Sequence, residues 1–238
     1  MKYQNPFRTL TPREYVIWIV SLVAVSVSFF LGSEHDLLTL LAPLVGVTAL
    51  IFIAKGDVLG QALTVIFALL YAVVSYRLQY YGEMITYLFM SAPVAFVSVI
   101  SWLRHPYGEN KNEVAVAKLS AKAWIFLCLL TAAVTAVFYF LLDALNTARL
   151  LVSTLSVATS FFAASLTFLR SPFYGLGYAA NDVVLIVLWT VASIKEPQYL
   201  PMVLCFAAFL LNDVYGFFNW RYLQKRQKEA KDSGIEQK

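Results

Sequence analysis

The sequence predicts an all-α polytopic membrane protein with eight transmembrane helices. Its 238 residues are 60% hydrophobic and only 13% charged, whereas an ordinary soluble domain carries roughly 25% charged residues. Apolar runs long enough to cross a bilayer recur from Tyr15 to Trp220. Most of these runs lack the polar stripe that a helix on the surface of a soluble domain presents to water. Composition and run length together therefore exclude an ordinary soluble fold.

Short polar turns separate the apolar runs and set the expected bounds of the spans. We expect spans at residues 14–31, 37–54, 58–76, 84–102, 119–142, 150–169, 178–194 and 199–220. The first run is longer than the apolar part of a signal peptide and no small-residue cleavage site follows it, so we expect it to be retained as a helix. The longest polar stretch, 104–118, divides the chain into halves, and a charged tail, 221–238, follows the last span.

The basic residues predict how the spans are oriented. All but three of the 18 lysines and arginines fall in loops and tails on one side of an eight-span arrangement. The three exceptions are Arg77, Arg149 and Lys195. Because cytoplasmic loops carry an excess of lysine and arginine, we expect both termini to be cytoplasmic.

Several classes of activity lack the residues that they need. No phosphate-binding G-x-x-x-x-G-K-[ST] motif occurs. His35 and His105 are expected in loops on opposite sides, and Cys128 and Cys205 fall inside apolar runs, where we expect small buried side chains. The sequence therefore predicts no metal site, no cofactor and no enzyme activity. The basic residues are dispersed over short loops, so no nucleic-acid partner is expected.

A weak internal repeat appears when the chain is slid along itself by 118 positions. This offset places residues 70–75 over residues 188–193. It also pairs Ala62 with Ala180, Tyr81 with Tyr199, Met84 with Met202 and Trp102 with Trp220. The pattern predicts that spans two to four repeat as spans six to eight in the same orientation, with span five as a linker. Parallel-repeat transporters bind their solutes between such repeats.

The last span concentrates polar side chains in an apolar setting. Asn212, Tyr215 and Asn219 are spaced to share one helix face, and Asp213 lies beside them. Polar groups at membrane depth are costly unless they face a protein interior or a wet cavity. The face is therefore expected to line a solute pathway, the alternative being hydrogen bonds that hold neighbouring helices together.

Two other spans carry candidate binding residues. Gln61 and Tyr71 lie in span three, and Asn181, Asp182 and Trp189 lie in span seven. The full set of candidates is Trp189, Asn212, Asn219, Gln61, Asn181, Tyr71, Tyr215, Asp182 and Asp213. Aromatic rings, amides and carboxylates suit a neutral or cationic ring that bears hydroxyl groups. The alternative for both aspartates is solvation at the inner boundary or pairing with nearby arginines.

Specific stretches resemble a known family. Residues 80–87, 101–104, 181–182, 188–189, 212–216 and 219–220 are similar to the PnuC family of vitamin-precursor transporters. The resemblance implies a bacterial inner-membrane protein with a three-plus-one-plus-three helix core akin to the SWEET sugar transporters, preceded by one extra helix. It implies trimers and facilitated diffusion, with inward flow maintained by cytoplasmic phosphorylation of the solute. The expected units are 1–36, 37–104, 105–149, 150–221 and 222–238.

The resemblance also implies a substrate. Carried over by motif, Trp189, Asn212 and Asn219 are expected in the pocket, followed by Gln61 and Asn181. Nicotinamide riboside, a cationic ring on a ribose, is the expected solute, and thiamine and riboflavin are the family's alternatives. Proton-coupled symport through the two aspartates, and a receptor or packing subunit with no solute of its own, remain open.

Overall fold

The computed structural model describes residues 5–31, 37–77, 81–108, 110–147, 149–195 and 200–233, without the side chains of residues 110, 111 and 195. Within these ranges, eight helical segments are long and apolar enough to cross a membrane. This confirms the all-α, eight-span fold class. The predicted turn at residues 32–36, which includes His35, lies outside the described residues.

The helices follow the apolar runs closely. Their bounds are α1 Pro12–Leu31, α2 Leu37–Lys55, α3 Val58–Arg77, α4 Tyr81–Thr86, α5 Ala92–Arg104, α6 Ala121–Ala144, α7 Leu150–Phe168, α8 Tyr174–Lys195 and α9 Leu200–Asp232. A π-helical turn, Tyr87–Ser91, joins α4 to α5, so these three segments make one span. A short 3-10 helix, Pro6–Thr9, precedes α1.

Local sequence signals explain where several helices begin. Thr11 and Glu14 form a reciprocal capping box at α1, in which the Thr11 N–H donates to the Glu14 carboxylate and the Glu14 N–H donates to the Thr11 hydroxyl. The Ser120 side chain caps α6 by accepting from the Ala123 N–H. Between α2 and α3 the chain reverses at Gly56, whose φ of 75° favours glycine.

The polar stretch 104–118 and Cys128 differ from the sequence-based expectation, whereas the helical tail agrees with it. The polar stretch 104–118 contains an antiparallel pair of strands, β1 Pro106–Tyr107 and β2 Asn110–Val114, rather than an irregular loop throughout. The charged tail continues α9 without a break to Asp232. Cys205 is buried as expected, but Cys128 is exposed, because it lies on the outward face of α6.

The helices form one bundle in which α2 packs on α3, α9 and α1, while α8 packs on α7 and α9. One apolar cluster, which includes Trp102, Trp220 and Tyr174, lies at the end of the bundle where α2 ends and α8 begins. We call this the inner end, following the predicted orientation, and the opposite end the outer end. A second cluster, which includes Trp189 and Phe209, lies nearer the outer end.

Candidate functional site

A cavity of about 610 Å³ opens at the outer end of the bundle. Its rim is formed by the start of α4, the end of α6 and the start of α7, including Gly82, Asn146 and Arg149. Ser160 is the deepest lining residue on α7, ten residues after Leu150. At 1.5 Å per residue that depth is about 15 Å, or half of a hydrocarbon core of about 30 Å. The cavity therefore reaches the middle of the membrane, and its volume suits a small organic ligand.

The wall of the cavity combines one aromatic face with hydroxyl groups and one carboxylate. Trp189 on α8 contributes an indole that is only 8% exposed. Tyr87, in the π-helical turn, faces the same space, and Glu83 lies one turn before it. Ser91, Ser153, Ser156 and Ser160 also line the cavity. Such a wall can stack on a planar ring, attract a cation and bond to hydroxyl groups.

Tyr71 and Asn181 support this wall from behind. The Tyr71 ring lies 4.4 Å from the Tyr87 ring, centroid to centroid. The Asn181 side-chain oxygen accepts hydrogen bonds from Ser156 (3.3 Å), Thr159 (2.8 Å) and Ser160 (3.0 Å). These bonds fix two of the serines that reach the cavity, so Tyr71 and Asn181 position lining groups.

The polar face of α9 points in another direction. Asn212 donates to the Ser21 hydroxyl at 2.7 Å, and Tyr215 donates to the Glu14 carboxylate at 3.0 Å, so both contact α1. Asn219 donates to the backbone carbonyl of Ala54 at the end of α2. The spacing correctly placed the three on one face, but here that face holds helices together and none of the three lines the outer cavity. Their role in binding stays a prediction.

Gln61, Asp182 and Asp213 are buried away from the wall of the outer cavity. Asp182 and Asp213 share a side-chain hydrogen bond between α8 and α9, and each is 3% exposed. Gln61 is also 3% exposed. Among the described residues, Gln61 Nε2, Asp182 Oδ2 and Asn212 Oδ1 have no hydrogen-bond partner. Of the readings that the sequence left open for the two aspartates, the structure shows contact between the two carboxyl groups, and their role in binding stays a prediction.

Of the nine candidates, the structure therefore brings only Trp189 into the wall of the outer cavity as far as the described residues extend. Glu83 was missed because residues 77–83 were expected to form a loop, and Tyr87, although inside the expected fourth span, was not among the candidates. The available signal was their spacing of four residues, which puts both side chains on one face once α4 is recognised as the start of a span. Within the described chain, no cluster of three or more histidine, cysteine, aspartate or glutamate residues could hold a metal ion.

The inner end is closed by hydrogen bonds between the two halves of the chain. Trp102 Nε1 donates to the carbonyl of Thr167 at 3.0 Å, and Trp220 Nε1 donates to the carbonyl of Ile53 at 2.8 Å. The two indole rings lie 5.4 Å apart, and their side chains are 2% and 0% exposed. The 118-residue offset aligned Trp102 with Trp220. Each of these tryptophans donates a hydrogen bond to a backbone carbonyl in the other half of the chain.

The segment that links the halves reinforces this closure. The Val114 N–H donates to the Gly56 carbonyl between α2 and α3, and the Ala117 N–H donates to the Arg170 carbonyl between α7 and α8. Gln227 on α9 accepts from the Val116 N–H at 2.8 Å. One segment thus binds the inner ends of both halves. The cavity is thus open at the outer end of the bundle, and the inner end is closed by these contacts.

Comparison with known proteins gives consistent matches over most of the chain. Residues 36–222 match the family described as nicotinamide mononucleotide transporter. A nicotinamide riboside transporter PnuC of Neisseria mucosa is 29% identical over 214 residues, which cover 88% of this chain and 81% of that protein. The protein of the same description from Haemophilus influenzae is 25% identical over 212 residues, covering 89% and 91%.

A solved structure shows the same architecture. It is described as the crystal structure of the vitamin B3 transporter PnuC. It superposes with a TM-score of 0.78 at 30% identity and covers 92% of this chain and 94% of the other. The matched family region begins after α1, so α1 lies outside it.

Proposed function

Because this chain belongs to the PnuC family of transporters, we propose that it carries nicotinamide riboside into the cell across the bacterial inner membrane. The observation that carries the proposal is the outer cavity with Trp189 in its wall. An indole face suits a pyridinium ring, and Glu83 supplies a negative charge for its cation. The serines of α7 suit ribose hydroxyl groups. The curated relatives of this chain are described as transporters of the same molecule.

The charges in the cavity favour the riboside over its phosphorylated form. A phosphate group is usually bound by arginine or lysine side chains that are free to donate to it. Arg149 is the only basic residue among those described in the cavity wall, and its guanidinium donates to the backbone carbonyls of Leu188 and Val191, each at 3.0 Å. Glu83 would in addition repel a phosphate. We therefore expect a riboside without a phosphate to be the solute.

The proposed mechanism is facilitated diffusion by alternating access. Two three-helix units, residues 37–104 and 150–221, would rock around the solute, with α6 as the linker between them. The inward-facing state then requires the reciprocal bonds of Trp102 and Trp220 at the inner end to break. Phosphorylation of the solute in the cytoplasm would trap it, because a phosphate finds no free cation in a cavity of this kind.

We further propose that the protein is a homotrimer with no catalytic activity of its own. Phe126, Leu129, Val137 and Phe140 on α6 are all more than half exposed. A helix that presents large apolar side chains outward suits contact with lipid or with a neighbouring subunit. A single-particle mass measurement of the purified protein would distinguish a trimer from other assemblies.

Proton-coupled symport is the second candidate, and a specific observation favours it. Asp182 and Asp213 form a buried carboxyl pair between α8 and α9. Two carboxyl groups in contact away from water can share one proton, because both cannot ionise at close range. If that proton moves with each transport cycle, uptake must respond to a pH gradient.

Uptake into proteoliposomes tests both candidates. Purified protein should accumulate nicotinamide riboside to the external concentration and no further, with less uptake of nicotinamide mononucleotide, thiamine and riboflavin. Collapsing an imposed pH gradient should leave the initial rate unchanged. Accumulation above the external concentration that disappears with the gradient would favour symport. A protein that moves none of the four compounds would refute the proposed function.

A further inference from the structure

A second, larger space lies at the inner end of the bundle. It is a groove of about 1710 Å³ between the linking segment, the first turn of α6, the turn before α8 and the extension of α9. The groove is separate from the outer cavity and shares none of its lining residues. We call it the inner groove.

The charge of the inner groove is strongly positive. Six basic residues line it: Lys118, Arg221, Lys225, Arg226, Lys228 and Lys231. Glu113 is the single acidic residue among the described lining residues, and it is already bound by Arg226 and Gln227. Lys225 also contacts Glu229 at 3.8 Å, but both side chains are mostly exposed, so that pair contributes little. Among the described lining residues, basic side chains therefore outnumber acidic ones by six to one.

The basic side chains converge from opposite walls. Arg221, Lys225 and Lys228 follow one another at intervals of four and three residues, so they share a face of α9. Lys118 approaches from the linking segment. That segment is fixed, since the Ala117 N–H donates to the Arg170 carbonyl at 2.9 Å and the Val116 N–H donates to Gln227. Lys118 and Lys225 therefore extend from ordered backbone on two sides of the groove.

The base of the inner groove is aromatic and lies at a span end. Trp124 is in the first turn of α6, and its ring lies 5.8 Å from that of Phe173, just before α8. The Arg221 guanidinium lies 5.6 Å from the centre of the Phe173 ring. Tryptophan at the end of a span marks the level of the lipid headgroups. The groove therefore has cations on its solvent side and aromatic rings on its membrane side. A phospholipid at this depth has the same order, with its phosphate toward solvent and its acyl chains toward the membrane.

From this arrangement we propose that the inner groove binds the phosphate headgroup of an anionic phospholipid of the phosphatidylglycerol class. The phosphate lies between Lys118 and Lys225, and the upper acyl chain runs along Trp124 and Phe173. A bound lipid connects α9 with the linking segment and the start of α6. The inference is independent of the solute that the outer cavity takes.

The test compares two variants with the same change of charge. Lys118→Gln/Lys225→Gln removes one cation from each wall of the inner groove. Arg104→Gln/Lys122→Gln removes two exposed cations at the same end of the bundle that do not line it. Native mass spectrometry of each purified protein, titrated with phosphatidylglycerol or phosphatidylcholine, measures the dissociation constant of the first bound lipid.

Each cation near an anionic headgroup contributes about fivefold in affinity. We therefore expect phosphatidylglycerol to bind the groove variant about 25-fold more weakly than the unaltered protein, and the control variant within about twofold of it. Equal binding of phosphatidylcholine and phosphatidylglycerol, or equal losses in both variants, would overturn the proposal. Competition by inorganic phosphate or glycerol 3-phosphate at the affinity of the lipid would also overturn it, because the site would then belong to a soluble phosphate.

Discussion

Glu14 links three elements at the inner end, and its removal should destabilise the protein strongly. The side chain is 2% exposed. Its Oε2 accepts from the Thr11 N–H at 2.6 Å and from Lys55 Nζ at 2.9 Å, while its Oε1 accepts from the Tyr215 hydroxyl at 3.0 Å. Glu14 on α1 therefore contacts both α2 and α9. Glu14→Ala breaks all of these bonds.

The expected loss of unfolding free energy in Glu14→Ala follows from the groups that lose their bond to the carboxylate. Loss of the capping contact at α1 costs about 1 kcal/mol. Breaking a buried ion pair costs about 3–5 kcal/mol, because the remaining charge is left in an apolar setting. Lys55 is 23% exposed, so water partly compensates and the lower end of that range applies. We expect Glu14→Ala to lower the free energy of unfolding by about 3–4 kcal/mol in total.

The assay is denaturant-induced unfolding of the purified protein in detergent micelles, followed by tryptophan fluorescence. Glu229→Ala is the matched control, because it removes a carboxylate from the exposed Lys225 pair, where we expect less than about 0.5 kcal/mol. Glu14→Gln, which keeps the size of the side chain, should fall between the two. If Glu14→Ala and Glu229→Ala change the free energy of unfolding equally, the reasoning about burial is wrong.

Three further predictions concern packing and the inner seal. In Gly175→Ala the added methyl group would lie 2.5 Å from the Asp213 carbonyl oxygen, so α8 and α9 must separate. The free energy of unfolding should fall by about 1–3 kcal/mol. An unchanged unfolding midpoint would contradict this prediction. Trp220→Phe removes the hydrogen bond to the Ile53 carbonyl, which contributes about 1 kcal/mol to the closed inner end. Spin-label distance measurements should therefore show an inward-facing population about fivefold larger. An unchanged distance distribution would show that this bond does not hold the inner end closed. Asn181→Leu deprives three hydroxyl groups of α7 of their shared acceptor and should lower the affinity for the solute in a binding titration. Unaltered affinity would show that Asn181 does not position groups that bind the solute.

Much of the fold follows from the sequence because a bilayer permits few solutions. A backbone that crosses lipid must satisfy its hydrogen bonds internally, so each long apolar run becomes a helix. The remaining differences are local. α8 begins at Tyr174, one turn before the expected residue 178, because Tyr174 is 1% exposed and packs against Trp220, with ring centres 4.9 Å apart. The strand pair in the linking segment depends on long-range contacts that no local pattern reveals.

The candidate site was only partly predictable. Helical spacing determined that Asn212, Tyr215 and Asn219 share a face, but spacing does not determine which neighbour that face meets. In the structure the neighbours are α1 and the end of α2. Trp189 was a candidate because the 118-residue offset pairs it with Tyr71 and because the family resemblance implies it, and the structure has it in the wall of the outer cavity. Glu83 was missed because it was expected in the loop before the fourth span, whereas α4 begins at Tyr81.

The most direct test of the account is a calorimetric titration of nicotinamide riboside into the purified protein and into Trp189→Ala. Base-type stacking contributes about 1–3 kcal/mol, so the variant should bind about 5–150-fold more weakly, while Trp189→Phe should retain most of the affinity. Trp18→Ala, at an indole that bonds to Thr48 outside the cavity, serves as the control and should bind as the unaltered protein does. Equal affinity of Trp189→Ala and the unaltered protein would show that the solute does not bind in the outer cavity.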